Sequence, residues 1–296
     1  MLFLMVNVLP GNPGRKLFGP QAAQEEVDRY NTKIGYYDPL VTQYSKSMKR
    51  LARLDFGTSY RTGRSVVSSV RGPLFRSAKL AVLALFLTIP LSIAAGVFAA
   101  RRQDKFADRA VVMFGLATSS IPDFVSAAIL TAVFCVTWRI GKVFATPPSG
   151  TSIIGQFRYL IFPALAMVLL YFGYIARMTR AGVITALQSD YARTATMKGL
   201  SRGKVMRVHI LRNALAPTIT VISVQAGYLL GSIIGVERVF NYQGIGLVLT
   251  ESVGKRDIPL LQGCALIIAV VYMTATLLAD VLIAFLNPRV RLGGGS

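Results

Sequence analysis

The sequence predicts an all-α integral membrane protein. Its 296 residues are 53% hydrophobic and only 16% charged, and the mean hydropathy is +0.52. Soluble domains run near 25% charged and rarely sustain such hydropathy. Five separate apolar runs are also long enough to cross the hydrocarbon layer of a bilayer as helices, which takes about 20 residues each. Together these observations favour a helical membrane domain over a soluble fold.

The five runs occupy residues 78–100, 110–137, 159–176, 217–236 and 260–286. The second is long enough to tilt in the membrane and is interrupted near Ile121 and Pro122. The fourth opens with Pro217, which is tolerated in the first turn of a helix. We therefore predict five complete membrane-spanning helices.

The N-terminal 75 residues differ in character from the rest of the chain. Residues 1–10 are apolar, but ten residues of helix extend only about 15 Å, half of a membrane. We expect them to be the outer half of a truncated first helix in a six-helix pattern; the alternative is a free apolar terminus at the membrane interface. Residues 11–75 are expected to be extracytoplasmic and to include an amphipathic helix around Val41, Tyr44, Met48 and Leu51.

The remaining residues, 76–292, are expected to form the membrane domain, with a polar loop at 187–214. The final Gly-Gly-Gly-Ser, residues 293–296, is typical of an artificial linker and carries no structural expectation.

The net charge of +20 is spread between the apolar runs and not gathered on one soluble face. This pattern fits the flanks of membrane helices better than a nucleic-acid surface. Residues 101–109 hold four basic side chains, residues 190–217 hold six, and the tail adds Arg289 and Arg291. Short loops rich in Lys and Arg remain in the cytoplasm. We therefore predict that these three segments are cytoplasmic, although the basic segment 11–72 weakens the asymmetry.

Motifs for catalysis and metal binding are missing from the sequence. Cys135 and Cys264 lie in apolar runs without C-x-x-C spacing, and His209 is the only histidine. The stretch around Gly203 and Lys204 lacks the Ser or Thr of a phosphate-binding loop. The sequence therefore predicts no enzyme.

The loop at 187–214 interrupts the apolar runs with a basic segment rich in small residues. Ser189 or Asp190 can cap a first helix, and Gly199 is the residue type that ends one. One face of that helix carries only small groups, Ala192, Ala195, Thr196 and Gly199, which allow close approach of another surface. A second helix is predicted from Ser201 to about Asn213. The residues alone leave open whether the loop docks a partner or is a solvated connection.

A family resemblance runs through nearly the whole chain. The pattern Y-A-R-T-A-x-x-x-G-L-S from Tyr191, followed by H-x-x-R-N-A-L-x-P from His209, resembles the cytoplasmic "EAA" loop of ABC importer permeases. The match is strongest with the B-type permease subunit of the oligopeptide/dipeptide (Opp/Dpp) class, where Arg-Thr-Ala replaces Glu-Ala-Ala. The stretches "LPGNP", "YYDPLVTQY", "LDFGTSYRTGRSV", "NYQGIGLVLTESVGKRDIPLLQG" and "LLADVLIAFLNPRVR" are similar to other segments of that class.

The resemblance implies the transmembrane domain of a type I ABC importer, with the loop forming a coupling helix against a cytoplasmic ATPase. The residues implied in ATPase coupling are Tyr191, Arg193, Thr194, Ala195, Lys198, Gly199, Leu200 and Ser201. Implied partners are a second homologous permease, two ATP-binding subunits and an extracytoplasmic solute-binding protein. ATP and Mg²⁺ would be bound by the ATPases, and no cofactor by this chain.

The implied solute is a peptide or a similar small molecule, and the resemblance also admits nickel and glutathione. Two readings from other classes stay open on the residues. A self-sufficient channel or secondary carrier would be expected to show inverted repeats or densely polar spans, and neither is evident. A membrane anchor with a basic receptor loop would not need the external motifs.

Charged residues at membrane depth are the remaining candidates, because each costs roughly 2.5–3.5 kcal/mol at a helix centre. Asp280 is expected either to pair with Arg177 or Arg180 at the inner ends of two spans or to form a gate. Asp123 stands where the resemblance leads us to expect a serine-like residue; it is expected to line the translocation path or to satisfy a local partner. Weaker candidates for the path are Ser119, Ser120 and Gln225.

Overall fold

A computed structural model describes residues 12–53, 55–148, 150–255 and 257–286. The predicted half-helix at 1–10, the basic tail with Arg289 and Arg291, and residues 293–296 lie outside these ranges. Within them the chain is helical, and an isolated antiparallel bridge joins Thr58 to Ser65.

The helices follow one another in this order. The N-terminal segment contains α1 (Pro13–Phe18), α2 (Gln24–Ile34) and α3 (Leu40–Ala52). Next come α4 (Val66–Arg101), α5 (Phe106–Ser120), α6 (Asp123–Leu130), which continues as a π-helical turn (Thr131–Thr137), and α7 (Ile153–Leu187). The last are α8 (Asp190–Met197), α9 (Arg202–Lys204) with a second π-helical turn (Val205–Ile210), α10 (Leu211–Val239), α11 (Ile245–Gly254) and α12 (Ile258–Leu286).

The long apolar helices confirm the predicted membrane class. In the part of the chain that the structure describes, α4, α7 and α12 are each long and apolar enough to cross a membrane, and counting each of two bent helix pairs as one span gives up to five. One bent pair is α5 with α6, which meet at 103° at the predicted break near Pro122. The helices are longer than the apolar runs: α4 begins at Val66, so the expected boundary at residues 75 and 76 falls inside it.

The expectation for Pro217 was wrong in one respect. This proline lies inside α10 and not in its first turn. The helix that we predicted to end at about Asn213 therefore continues without interruption into the next span. A proline removes one hydrogen bond from a helix but does not always end it when the surrounding structure holds the backbone.

Two compact units divide the chain, and the first combines residues 1–77 with 243–270. Its core is formed by Val66, Val70, Ile245 and Cys264, and the Ser77 hydroxyl accepts the Ile245 N–H at 2.8 Å. The predicted amphipathic helix is confirmed as α3. Its apolar side chains Val41, Tyr44 and Met48 are nevertheless exposed in this chain.

The second unit combines residues 78–242 with 271–296, and α7 is its central helix. Helix α7 packs against α10, α5 and α6. At its contact with α5, a Cβ added to Gly115 would lie 2.9 Å from Cα of Gly173, so only glycine allows these backbones to approach so closely. The main core of this unit includes Leu80, Ala84, Ala127, Met167, Tyr171, Leu229, Ile233, Val236 and Phe240.

Candidate functional site

Helix α8, in the polar loop, ends with the geometry that its sequence predicts. Gly199 has φ +76°, the left-handed conformation that costs glycine least. The Leu200 N–H donates to the Ala195 carbonyl at 3.4 Å, and the Gly199 N–H donates to the Thr196 carbonyl at 3.0 Å. This pair of bonds is a Schellman motif. The glycine therefore closes α8 and turns the chain sharply into α9.

The small-residue face of α8 is turned toward the chain itself. Ala192 is 4% exposed and Ala195 is 5% exposed. The expectation that Ala195 belongs to a face open to a partner is therefore corrected. Small side chains do allow close approach here, but the surface that approaches is the chain's own core. Thr196, the third member of the face, is exposed, and its hydroxyl donates to the Ala192 carbonyl at 2.9 Å.

These alanines belong to a buried cluster that joins five parts of the second unit, which we call the loop core. It contains Ala100 at the end of α4, Val183 and Ala186 of α7, Ala192 and Ala195 of α8, Val205, Met206 and Ile210 of the second π-helical turn, and Ala214 of α10. Leu200 packs against it. Apolar burial of this kind holds α8 to the ends of three long helices.

The outer face of α8 carries larger and charged side chains. Arg193, Thr194 and Lys198 are exposed. Tyr191 is 41% exposed and Met197 is 74% exposed. Sequence reasoning missed Met197. Its signal was a long, flexible apolar side chain in an otherwise polar loop, the kind of side chain that adaptable binding surfaces use.

The second helix of the loop also differs from its prediction. Ser201 precedes it, as expected, and the side chain of Ser201 is exposed. Only Arg202–Lys204 is α-helical before the backbone widens into the π-helical turn, and α10 follows directly. The loop and the first part of the span therefore form one continuous helix as far as Leu229, after which the helix bends by 53°.

Arg180 forms an ion pair that the sequence analysis did not assign. Its Nε lies 2.5 Å from Oδ1 of Asp108 and its Nη2 lies 2.6 Å from Oδ2. The Asp108 side chain is 3% exposed and also accepts the Asp104 N–H at 2.9 Å. The signal for Asp108 was an acid in the first turn of a helix that follows a basic loop, a place where acids are favoured.

The predicted contact of Asp280 with Arg177 or Arg180 was wrong. Among the described residues, no hydrogen bond or ion pair joins Asp280 to either arginine, and its side chain is exposed on α12. Arg180 instead bonds Asp108, while Arg177 donates to the Gly173 carbonyl at 3.0 Å and lies over the Tyr174 ring. The position of a residue along its helix predicts its depth in the membrane. It does not predict the direction in which the side chain points.

The structure places only some of the predicted path residues near one another. Asp123 begins α6, and the Ser119 hydroxyl, on the other side of the bend, donates to the Gly115 carbonyl at 2.7 Å. Ser120 is exposed and donates to the Leu116 carbonyl. Gln225 is buried on α10, ten residues before Gly235, the α10 residue beside Asp123; this is about 15 Å along the helix. The five predicted path residues therefore do not form one cluster.

Asp257 organises the first unit and joins two of the family-like stretches. Its Oδ2 accepts the Ser59 hydroxyl at 2.5 Å and its Oδ1 accepts the Tyr60 N–H at 3.1 Å. The carboxylate is 3% exposed. Burial raises the pKa of Tyr60 to about 12, so its hydroxyl stays neutral at physiological pH. The motif residues around Ser59 and Asp257 therefore serve this local structure.

Comparison with known proteins identifies the family. The family model described as "Binding-protein-dependent transport system inner membrane component" matches residues 92–292. The dipeptide transport system permease protein DppB of Alkalihalophilus pseudofirmus is 31% identical over 309 residues, covering 98% of this chain and 93% of the relative. The glutathione transport system permease protein GsiC of Escherichia coli (strain K12) is 32% identical over 291 residues, covering 98% and 92%.

A solved structure supports the same fold. The crystal structure of an amino acid ABC transporter with histidines aligns at a TM-score of 0.54 and 17% identity, covering 75% of this chain and 94% of that chain. The predicted type I importer membrane domain, the inner-membrane location and the transport role are confirmed. The chain belongs to the family of binding-protein-dependent transport system inner membrane components and is a permease subunit of an ABC transporter.

Proposed function

We propose that this permease forms half of the translocation path for peptides or similar small solutes. Relatives named for dipeptide and glutathione transport match almost the whole chain at about one-third identity. Both of those names describe peptide-like solutes. The path would run through the second unit, and opening and closing it would depend on ATP hydrolysis by partner subunits.

The polar loop is proposed to face the cytoplasm. Ala100, next to the basic loop 101–109, and Ala195 of α8 belong to the same loop core. Asp108 and Arg180 also join the start of α5 to the last turns of α7. The two most basic loops therefore lie at one end of the second unit, as the positive-inside rule predicts for cytoplasmic loops.

The observation that carries the coupling proposal is the two-sided character of α8. Its inner face is locked into the loop core, and its outer face presents Tyr191, Arg193, Met197 and Lys198. A partner that contacts the outer face would therefore move α8 together with the inner ends of α4, α7 and α10. Rigid-body rocking of packed helices is a common mode of such transitions.

The family is binding-protein-dependent, which implies an ATPase and a solute-binding protein as partners. We further propose two ATP-binding subunits and a second homologous permease. ATP and Mg²⁺ would be bound by the ATPases, and this chain would bind no cofactor. The proposed contact residues for the ATPase are Tyr191, Arg193, Thr194, Lys198, Gly199 and Ser201, and we add Met197 because its side chain is exposed. Ala195 and Leu200 are proposed to support the contact from the loop core.

Cross-linking of the complete complex tests the orientation of α8. Met197→Cys or Lys198→Cys should cross-link to the ATPase through a short bifunctional maleimide, and ATP should change the yield. Ala192→Cys is the matched control, because this position is buried beneath the same helix. Cross-linking from position 192 but not from 197 would overturn the proposed contact face.

Uptake into proteoliposomes tests the solute. The complete complex should take up alanyl-alanine only when ATP and the binding protein are present. Uptake of Ni²⁺ without uptake of alanyl-alanine or glutathione would assign a different solute. Uptake by this chain without any ATPase would refute coupling and favour a channel or secondary carrier.

A further inference from the structure

Asp123 occupies an unusual place in the second unit. Helix α5 runs from Phe106 to Ser120, about 22 Å at 1.5 Å per residue. The chain then bends by 103° and α6 begins at Asp123. It is the only charged residue between Arg109 and Arg139 in the sequence. The carboxylate therefore lies deep within an otherwise uncharged stretch.

Half of this carboxylate has no partner in the described structure. Oδ1 accepts the Phe124 N–H at 2.8 Å. Oδ2 is buried and makes no hydrogen bond, and among the described residues Asp123 forms no ion pair. The side chain as a whole is half-buried. An unpaired carboxylate within a membrane span costs several kcal/mol, and a cation that pairs with it would offset that cost.

The carboxylate packs against the backbone of a second helix. A Cβ added to Gly235 of α10 would lie 3.5 Å from both Asp123 oxygens and 3.2 Å from Cβ of Phe124, so glycine allows this close approach. One turn earlier on α10, the Ser232 hydroxyl accepts a hydrogen bond from the hydroxyl of Tyr171 of α7 at 2.8 Å. Three helices thus contribute to one polar spot within the apolar layer.

We propose that Asp123 is a subsite for a positively charged group of the solute, which it pairs with during passage through the membrane. The proposal rests on the proposed transport function and names the charge that the path selects. An α-ammonium group of a peptide and a divalent metal ion share this chemistry. Either group would neutralise the negative charge of the carboxylate when the solute arrives. It would then leave together with the solute, as a transport site requires.

A labelling experiment measures the charge without using transport. In the complete complex carrying Cys135→Ala and Cys264→Ala, the exposed Ser120 is changed to Cys. Its rates of reaction with a trimethylammonioethyl and a sulfonatoethyl methanethiosulfonate are then compared. A nearby uncompensated carboxylate favours the cationic reagent, so Asp123→Asn should lower the ratio of the two rates about tenfold.

Glu251→Gln is the matched control, since it removes one acidic charge from an exposed position and should leave the ratio unchanged. An unchanged ratio in Asp123→Asn would overturn the proposal. The carboxylate would then be either neutral or already paired with a basic side chain of the second permease.

Uptake distinguishes the two sources of positive charge. Asp123→Asn should reduce uptake of alanyl-alanine in proteoliposomes if the subsite takes an ammonium group, or of Ni²⁺ if it takes a metal ion. Uptake of both probes at the unsubstituted rate would overturn the proposal. A complex that transports neither probe before substitution would refute the proposed solutes, and the labelling ratio would still test the charge of Asp123.

Discussion

Arg180 binds both carboxylate oxygens of Asp108, with Nε 2.5 Å from Oδ1 and Nη2 2.6 Å from Oδ2. This two-point contact joins the first turn of α5 to the last turns of α7. Its geometry is the one in which arginine and a carboxylate interact most strongly. Loop 101–109 and helix α8 lie beside these two helix ends. The ion pair therefore stabilises the helix ends against which α8 packs.

Asp108→Asn should destabilise the complex more than the same kind of substitution in an exposed ion pair would. It leaves the Arg180 guanidinium three-quarters buried without its anion, a loss of about 3 kcal/mol for a buried pair. The apparent melting temperature of the purified complex should fall by several degrees. In the double variant with Arg180→Gln the loss should be smaller than the sum of the two single losses.

The exposed pair of Lys255 with Glu251 provides the control, because both side chains are more than 40% exposed. Glu251→Gln should cost less than about 0.5 kcal/mol. Strictly additive effects of the Asp108 and Arg180 substitutions would show that the two side chains contribute independently.

Ala195→Leu should loosen the loop core. Three added carbon atoms must fit where Ala195 is only 5% exposed, and overpacking a core costs about 1–3 kcal/mol. We expect faster proteolysis at the loop and a lower rate of transport per ATP hydrolysed. Thr194→Leu adds bulk at an exposed neighbouring position and should leave proteolysis unchanged. Equal proteolysis of both variants would contradict the inward orientation of Ala195.

Gly199→Ala should weaken the end of α8 through backbone strain alone. In the described part of the chain no atom lies within 4 Å of the added Cβ, but φ is +76°, and the left-handed conformation costs other residues about 1 kcal/mol. We expect less solute to be taken up for each ATP hydrolysed. Gly203→Ala is the matched control, because this helical glycine is also open and has no positive φ. Equal coupling in the two variants would exclude the turn as a determinant.

The sequence predicts the membrane class and the position of each span because hydropathy reports burial in lipid directly. It also predicts the turn at Gly199, since glycine alone adopts that conformation cheaply. The direction in which a side chain faces requires tertiary packing. The predictions that Ala195 faces a partner and that Asp280 contacts Arg177 or Arg180 were wrong for this reason. Spacing along a helix gives the level of a residue but not the neighbour that it contacts.

Gly173→Ala should disrupt the contact between α5 and α7 most severely. A Cβ at Gly173 would collide with the backbone carbonyl oxygen of Gly115, and backbone atoms cannot move aside as a flexible side chain can. Small residues at such crossings are what allow membrane helices to pack closely, so separating them would also strain the Arg180 pair with Asp108 further along α7. We expect a lower yield of assembled complex and a lower apparent melting temperature.

Gly231→Ala supplies the comparison, because no atom of the described residues lies within 4 Å of a Cβ added to this glycine of α10. Alanine is also the better helix former by roughly 1 kcal/mol, so this variant should assemble at least as well as the unsubstituted chain. A Gly173→Ala complex that assembles and melts like the Gly231→Ala complex would show that α5 and α7 do not depend on their close backbone contact. Reduced assembly in Gly173→Ala alone would instead show that this crossing is required for the bent α5–α6 pair to pack against α7.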